Sequence, residues 1–376
     1  MTVLYLVKYI AASPRSQLTS STRIMEIINC SPRDRATVAS LLWMTEKESY
    51  IVKTVLTGIK PTGVPHVGNY FGAIKPAVGA AGTSGDASFL FIADYHALTT
   101  VKNAKELKQH VREIACTWLA CGLDVNKTAF YCQSSVSEIF ELATILSNYT
   151  PKGLLNRAHA YKDIVQNKGK GDEEVNMGLF NYPVLMAADI LAFGTTHVPV
   201  GKDQKQHVEI AQSIARAFNA VHGDILTVPA VQIKDDVAVV PGLDGRKMSK
   251  SYGNQIPLFC SSKELESYVK KVVTDSSLPT EPKSIDMDIF KIYKLFATKE
   301  ELKVMEQKFK TGVGWGDVKK ELFRVAEREI APLREKYEYY MANYNEVEKV
   351  LLDGAEKAGG RAKKVLDKVR CAVGVI

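Results

Sequence analysis

Two lysines and two serines stand together in the run KMSKS at residues 247–251. This run directly follows residues 241–246, PGLDGR, whose proline and glycines favour a loop. Ammonium groups at positions i and i+3 of a mobile loop suit the negative charge that shifts as a triphosphate becomes pyrophosphate. The alternative is a solvated basic surface loop, because short basic runs are common.

A second pattern typical of phosphate binding lies far upstream. Residues 57–70, TGIKPTGVPHVGNY, follow residues 50–56, a β-branched run that predicts a buried strand. The glycines permit backbone to approach a ligand closely, and residues 69–74 predict the first turns of a helix. A strand, a glycine-rich turn and a helix N-terminus together form an anion site, in which His66 can donate to phosphate oxygens. The alternative is an ordinary strand-to-helix turn with a surface histidine.

These two segments together resemble the signatures of the class I aminoacyl-tRNA synthetases. His66-Val67-Gly68-Asn69 stands where that family has its HIGH-type motif, and residues 247–251 match its KMSKS motif letter for letter. The resemblance implies a Rossmann-type nucleotide-binding domain, ATP-dependent activation of an amino acid and its transfer to tRNA. It also implies Mg²⁺ bound to the phosphates of ATP, with no metal ligands from the protein.

The remaining pattern predicts an α/β fold. Apolar runs at residues 87–94, 129–133 and 197–200 are typical of buried strands, and residues 104–121 have helical apolar spacing. Alternating strands and helices indicate a parallel sheet covered by helices on both faces. From about residue 284 onward, helix-forming and charged residues dominate, which predicts a helical C-terminal part.

The predicted domains are a Rossmann-type catalytic domain over residues 44–255, with a helical insertion, and a C-terminal helical tRNA-binding domain over residues 256–376. Residues 1–43 are rich in Arg, Ser and Thr and contain only two acids. That composition fits an organellar transit peptide and equally a mis-assigned start with Met44 as the first residue. We favour the mis-assigned start and expect a poorly ordered segment in either case. Candidate RNA phosphate contacts are Lys357, Arg361, Lys363, Lys364, Lys368 and Arg370.

Composition sets further bounds. The 376 residues carry a formal charge of +7, which permits contact with nucleic acid. No apolar run is long enough to span a bilayer. The six cysteines form no C-x-x-C pair, which argues against a zinc or iron–sulfur site and favours the reduced cytosol. A cytoplasmic location is therefore expected, or a mitochondrial one if residues 1–43 are a transit peptide.

The choice of amino acid is predicted from an apolar helical stretch at residues 182–193, which contains one acid, Asp189. Asp189 shares a face with Leu185 and Met186, and a carboxylate on an apolar face is costly unless it is paired. An indole N–H can only donate and needs such an acceptor. The alternative is a salt bridge to a distant arginine or lysine.

At this point the resemblance narrows to the tryptophanyl-tRNA synthetases, through residues 58–69, 182–191 and 198–209. It implies that Asp189 accepts the indole N–H and that the G-x-D-Q segment, starting at Gly201, holds the amino group and the ribose. The tryptophan-binding residues implied are Asp189, Met186, Tyr182, Val198, Val200 and Gln204. The catalytic residues implied are His66, Asn69, Lys247, Ser249 and Lys250. The ATP-binding residues implied are Lys60, Pro61, Thr62, Gly68, Asn69, Gly201, Lys202, Asp203, Lys247, Met248, Ser249, Lys250 and Ser251.

Some positions depart from the common bacterial pattern. Lys60 stands where a glutamine is usual, Lys202 replaces an acid and Tyr95 replaces a glutamine. We expect His207 to be structural, and His96 to be as suited to packing as to ligand contact.

Other readings remain open at this point. One is a tyrosyl-tRNA synthetase, which shares the fold and the signatures. Two further ones are another nucleotidyltransferase of the same superfamily and a non-catalytic paralogue that binds RNA. The family resemblance also implies a homodimer and tRNA(Trp) as partner.

Overall fold

A computed structural model describes most of the chain. The described residues are 53–80, 87–162, 174–201, 204–233 and 240–375. The predictions for residues 1–43, Lys202 and Asp203 lie outside these ranges. Within them, no helix is long and apolar enough to cross a membrane.

Five parallel strands form one sheet in the order β3-β2-β1-β4-β5. The strands are β1 (Thr54–Ile59), β2 (Ala87–Ile92), β3 (Thr128–Cys132), β4 (His197–Val200) and β5 (Ala230–Ile233). The strand order reverses between β1 and β4, and in open parallel sheets ligands bind at the carboxyl ends of the strands beside such a reversal. The HIGH-type segment follows β1 at this place.

Both faces of the sheet are covered, as the sequence pattern predicts. Leu90 and Ile92 of β2 pack into one buried apolar cluster, whereas Phe89 and Phe91 pack into a second. Successive residues of a strand point to opposite faces, so each cluster lies on its own side of the sheet. The prediction of a parallel α/β fold with flanking helices is confirmed.

The first strand extends further than predicted. It was expected to end at Leu56, but β1 continues to Ile59 and pairs with β2 along its whole length. Gly58 lies within the strand and pairs with Phe91. A glycine is required there, because an added Cβ would lie 2.6 Å from Cζ of Phe91. The glycine-rich turn therefore begins only after Ile59.

The helices begin directly after the first turn. The helix was predicted to begin at residue 69, but it begins at Val67 with one α-helical turn. It continues as a π-helical stretch, Tyr70–Ile74, and then becomes α-helical again. The helices are α1 (Val67–Asn69), α2 (Lys75–Ala80), α3 (Asp94–Ala97), α4 (Ala104–Ala120), α5 (Glu138–Ser147), α6 (Lys152–Leu155), α7 (His159–Lys162), α8 (Met177–Leu191), α9 (Lys205–His222), α10 (Ser262–Lys271), α11 (Asp288–Phe296), α12 (Lys299–Thr311), α13 (Trp315–Ala342) and α14 (Tyr344–Val373).

The last helix packs on the sheet. In α14, Gly354 lies so close to β3 that an added Cβ would meet the carbonyl oxygen of Phe130. Further along, Arg361 Nε donates to the carbonyl oxygen of Phe193 at 3.0 Å, and Arg370 Nε donates to Glu141 at 2.6 Å. Lys363 Nζ also donates to Oδ1 of Asp367 at 3.3 Å. Three of the six cations proposed for RNA contact therefore make intramolecular hydrogen bonds.

Gly354→Ala is expected to destabilise the protein by about 2–3 kcal/mol, because backbone must move to admit the methyl group. Gly360 lies on the same helix with no heavy atom within 4 Å of an added Cβ. Gly360→Ala is therefore a matched control, and it should stabilise the helix by up to about 1 kcal/mol. Urea unfolding of the two variants checks this, and equal effects would contradict the close approach of α14 to β3.

Candidate active site

His66 begins the helix that follows β1. Its Nδ1 accepts from the backbone N–H of Asn69 at 3.2 Å, and Asn69 Oδ1 accepts from the backbone N–H of His66 at 3.1 Å. This reciprocal pair is a capping box, which satisfies two of the free N–H groups at a helix N-terminus. Asn69, predicted to be catalytic, thus also fixes the histidine that precedes it.

The protonation state of His66 follows from these contacts. Burial and, to a smaller extent, the nearby Lys250 ammonium together lower its pKa to about 4. His66 is therefore neutral at pH 7. Since Nδ1 accepts a hydrogen bond, the ring proton resides on Nε2, which is then a donor. A neutral histidine with its donor at Nε2 is suited to bind an anion.

This lowered pKa predicts a pH dependence of stability. Between about pH 6.5 and pH 4 the unfolded chain binds a proton at His66 that the folded protein does not bind. The contribution of His66 to stability is therefore present above pH 6.5 and is lost as the pH falls toward 4. His66→Asn keeps a good helix cap but cannot titrate. Urea unfolding at pH 7.0 and 5.0 should show a smaller loss for His66→Asn than for the unaltered protein, and equal losses would contradict the buried neutral histidine.

The KMSKS segment lies directly against the HIGH-type segment. The backbone N–H of Val67 donates at 2.9 Å to the carbonyl oxygen of Ile256, which lies five residues after the KMSKS run. The N–H of Gly68 donates to Sδ of Met248 at 3.3 Å. Lys250 Nζ donates to the carbonyl oxygen of Thr62 at 2.6 Å. The two signatures, distant in sequence, therefore form one site at the carboxyl end of β1.

Gly68 shows how closely these parts fit. An added Cβ would stand 3.0 Å from Nδ1 of His66 and 3.4 Å from Cβ of Met248. Met248 itself is buried in the apolar core. Its thioether accepts from Gly68 at the start of the helix, whereas Lys247 and Lys250 on either side of it are exposed.

Asn254 organises the KMSKS loop, and sequence reasoning did not single it out. Its side chain is buried, and its Nδ2 donates to Oδ1 of Asp244 at 2.6 Å and to the carbonyl oxygen of Lys247 at 3.2 Å. Its Oδ1 accepts from the backbone N–H of Ser249 at 2.9 Å. Gly242 leaves room for it, since an added Cβ there would be 2.3 Å from Nδ2. Asn254 thus connects both sides of the loop that carries Lys247 and Lys250.

A hydrogen-bond chain joins the phosphate side of the site to a buried carboxylate. Lys60 Nζ donates to Oγ1 of Thr99 at 3.3 Å, and burial lowers the pKa of this lysine. Thr99 Oγ1 donates to the carbonyl oxygen of His96 at 2.8 Å, and His96 Nε2 donates to Oδ2 of Asp189 at 2.8 Å. Lys60 and Asp189 are therefore connected through Thr99 and His96.

Asp189 is 1% exposed and has two protein partners. Gln133 Nε2 lies 2.9 Å from each carboxylate oxygen, and His96 donates to Oδ2. Burial raises the pKa of Asp189, and these two donors oppose that rise. The partners are neither arginine nor lysine, which was the alternative considered from the sequence. The sequence signal for His96 and Gln133 is their position, since each follows the carboxyl end of a parallel strand.

A cavity of about 430 Å³ opens beside His96 and Tyr182. The Tyr182 hydroxyl lies 2.6 Å from Nε2 of His207, and Nδ1 of His207 lies 2.8 Å from Oε1 of Gln204. Gln204 occupies the N-cap position of α9, just after β4. Tyr182 and Gln204, both predicted to bind tryptophan, are thus connected through one histidine.

Comparison with known proteins agrees with this geometry. A family model described as tRNA synthetases class I (W and Y) matches residues 52–330. The tryptophan–tRNA ligase of Xylella fastidiosa is 49% identical over 328 residues, which are 85% of this chain and 75% of that protein. The tryptophan–tRNA ligase of Neisseria meningitidis is 47% identical over 329 residues, covering 86% of this chain and 98% of that protein.

A solved structure is also similar. It is the tryptophanyl-tRNA synthetase from Campylobacter jejuni complexed with ADP and tryptophan, which is 44% identical, has a TM-score of 0.80 and covers 85% of this chain and 99% of that chain. The residues that the family model matches include the HIGH-type segment, the Asp189 helix and the KMSKS loop. The chain therefore belongs to the tryptophanyl-tRNA synthetase family of class I aminoacyl-tRNA synthetases.

Proposed function

We propose that the protein activates L-tryptophan with ATP and transfers it to tRNA(Trp), with release of pyrophosphate and then AMP. One observation carries this proposal. The neutral His66 and the Lys250 ammonium stand near each other after the carboxyl end of β1. The buried Asp189 carboxylate is bound by His96 and Gln133, and hydrogen bonds through His96 and Thr99 connect it to Lys60. His66 and Lys250 suit phosphates, and the Asp189 carboxylate suits an apolar ring with a single N–H donor.

In the activation step, a carboxylate oxygen of tryptophan attacks the α-phosphorus of Mg²⁺-bound ATP. The bond from that phosphorus to the pyrophosphate oxygen breaks, and tryptophanyl-adenylate forms. This step requires no protein nucleophile, so catalysis consists of placing the substrates and stabilising charge on the leaving group. We assign this work to His66, Asn69, Lys247, Ser249 and Lys250.

The ATP contacts are proposed on the same grounds. At the start of α1 the proposed donor to phosphate oxygens is Nε2 of His66, because the N–H groups of Val67, Gly68 and Asn69 already donate within the protein. Lys60 adds a cation near the carboxyl end of β1. The other ATP contacts proposed in the described ranges are Pro61, Thr62, Gly68, Gly201, Met248 and Ser251; Met248 would act through its backbone, because its side chain is buried.

Recognition of the side chain would depend on Asp189. A carboxylate that accepts from His96 and Gln133 retains capacity for one further hydrogen bond from the indole N–H. Phenylalanine has no N–H donor, so it would leave this buried acceptor without its hydrogen bond. A site of this kind therefore rejects phenylalanine strongly. Met186, Val198 and Val200 are proposed to contact the ring. The curated relatives described above are tryptophan–tRNA ligases, which does not favour the tyrosyl alternative.

In the second step, a hydroxyl of the tRNA terminal ribose attacks the carbonyl carbon of the adenylate, and AMP leaves. We propose that residues 256–376 contribute to tRNA binding, that residues 44–255 form the catalytic domain and that the protein acts as a homodimer in the cytoplasm. The exposed lysines of α14 support the first of these statements, since cations position an RNA backbone.

Aminoacylation of a tRNA(Trp) transcript with radiolabelled tryptophan tests the function. We expect an acid-precipitable, base-labile product that requires ATP. A protein that binds the transcript but forms no ester would instead be a non-catalytic RNA-binding paralogue. Charging with tyrosine and a tRNA(Tyr) transcript would support the tyrosyl alternative.

A further inference from the structure

His110 on α4 stands beside the turn that follows β1. Gly63 in this turn has a φ of 83°, a conformation that favours glycine. An added Cβ at Gly63 would lie 3.3 Å from Nε2 of His110 and 3.4 Å from Nζ of Lys250. The histidine and the second lysine of the KMSKS run therefore face the same side of Gly63, next to the HIGH-type segment.

The two ring nitrogens of His110 have different surroundings. Nδ1 is buried and has no hydrogen-bond partner among the described residues. The side chain is 21% exposed, and the carboxylate oxygen of Glu106 lies 4.0 Å from Nε2, too far for a hydrogen bond. A buried N–H without a partner is rare, so the neutral ring carries its proton on Nε2. The protonated ring has a proton there as well, and Nε2 is therefore an unused donor in both states.

His110 and Lys250 are close enough to hold one anion between them. Since both distances start from the same point at Gly63, the two nitrogens lie at most twice 3.4 Å apart. Hydrogen bonds of about 2.8 Å from each nitrogen to different oxygens of one phosphate group can span this separation. Lys250 Nζ has three N–H donors, of which one donates to the carbonyl oxygen of Thr62 at 2.6 Å. Its other donors remain for a ligand, as far as the described residues extend.

The charges around this pair include two acids. Partial burial lowers the pKa of Lys250, and the charge of Glu113 opposes that change. Glu113 accepts a hydrogen bond from Nε2 of Gln109 at 2.8 Å, and the Glu106 side chain is 54% exposed, so that water screens it. Within the described ranges neither acid accepts a hydrogen bond from His110 or Lys250. An anion bound here would favour the charged form of the lysine.

We propose that His110 binds the β- and γ-phosphates of ATP together with Lys250, by donating from Nε2. The inference rests on the proposed function and deepens it by adding a residue of α4 to the phosphate side of the site. Lys250 is near both His66 and His110. The triphosphate would thus be held by one histidine from the HIGH-type segment and by a second one from α4.

The test compares His110→Phe with His222→Phe, which removes another half-buried histidine, from the end of α9. Calorimetric titration is carried out with Mg²⁺-ATP and with AMP, which retains the adenosine and the α-phosphate but lacks the other two phosphates. We expect His110→Phe to weaken ATP binding about tenfold or more, the usual effect of losing a hydrogen bond to a charged group. Binding of AMP should change less than about threefold, and His222→Phe should change neither affinity by more than that.

His110→Gln adds a second criterion, because its amide nitrogen can donate from a place similar to that of Nε2. We expect this variant to bind ATP within about threefold of the unaltered protein. Equal weakening of ATP and AMP in His110→Phe would overturn the inference, since it would indicate general damage to the site. Unchanged ATP binding in His110→Phe, or a loss in His110→Gln as large as in His110→Phe, would overturn it as well. Failure of the unaltered protein to bind ATP would instead contradict the proposed function.

Discussion

Lys250→Ala is expected to lower the kcat of tryptophan-dependent ATP–pyrophosphate exchange about 100- to 1000-fold, while the KM for tryptophan changes less than about threefold. The ammonium of Lys250 reaches across to the carbonyl oxygen of Thr62 and stands near His66. A cation at this place would interact most strongly with the charge that develops on the leaving pyrophosphate. Its removal should therefore affect the transition state far more than tryptophan binding.

Two further variants sharpen this prediction. Lys320→Ala, whose side chain is 84% exposed on α13, controls for the loss of a positive charge and should leave exchange unchanged. Lys250→Arg should restore little activity, because a planar guanidinium does not match the position of a compact ammonium. A parallel loss of kcat and of tryptophan affinity in Lys250→Ala would argue against a role in the transition state.

Asp189→Ala is expected to weaken tryptophan binding about 100-fold and to leave the KM for ATP nearly unchanged. Two effects combine here, since the indole N–H loses its acceptor and the buried donors of His96 and Gln133 are left unpaired. The second effect should also lower the free energy of unfolding by about 1–3 kcal/mol. Calorimetric titration with tryptophan and urea unfolding measure the two quantities separately.

Ile190→Ala provides the control for lost stability. Ile190 follows Asp189 on the same helix and is likewise 1% exposed. Its truncation should cost about 2–4 kcal/mol of stability through a cavity, with a much smaller loss of tryptophan affinity. Comparable losses of affinity in both variants would indicate that Asp189 acts through helix packing, and would place the indole acceptor elsewhere.

Local features of the sequence predicted much of the fold. The glycines around residue 63, the histidine before a helix and the KMSKS run each have a short-range physical meaning, and the alternating strands indicated a parallel sheet. The end of β1 was missed because Gly58 is read locally as a turn residue. Only its close contact with Phe91, on another strand, shows why a glycine stands within the strand.

Partners across the fold could not be predicted in the same way. Asn254 is one polar residue after a basic loop, and nothing nearby in sequence shows that it hydrogen-bonds both sides of that loop. Similarly, Asp189 was recognised as a costly buried acid, but its partners come from different segments of the chain. Parallel strands bring their carboxyl ends together, so polar residues such as His96 and Gln133 that follow two strands are the signal to search for.

The most direct test of the central claim is ATP–pyrophosphate exchange measured with each of the twenty amino acids in turn. A site that pairs a phosphate-binding signature with the buried Asp189 acceptor predicts exchange that depends on tryptophan alone. Exchange that depends on tyrosine, or no exchange with any amino acid, would contradict the account.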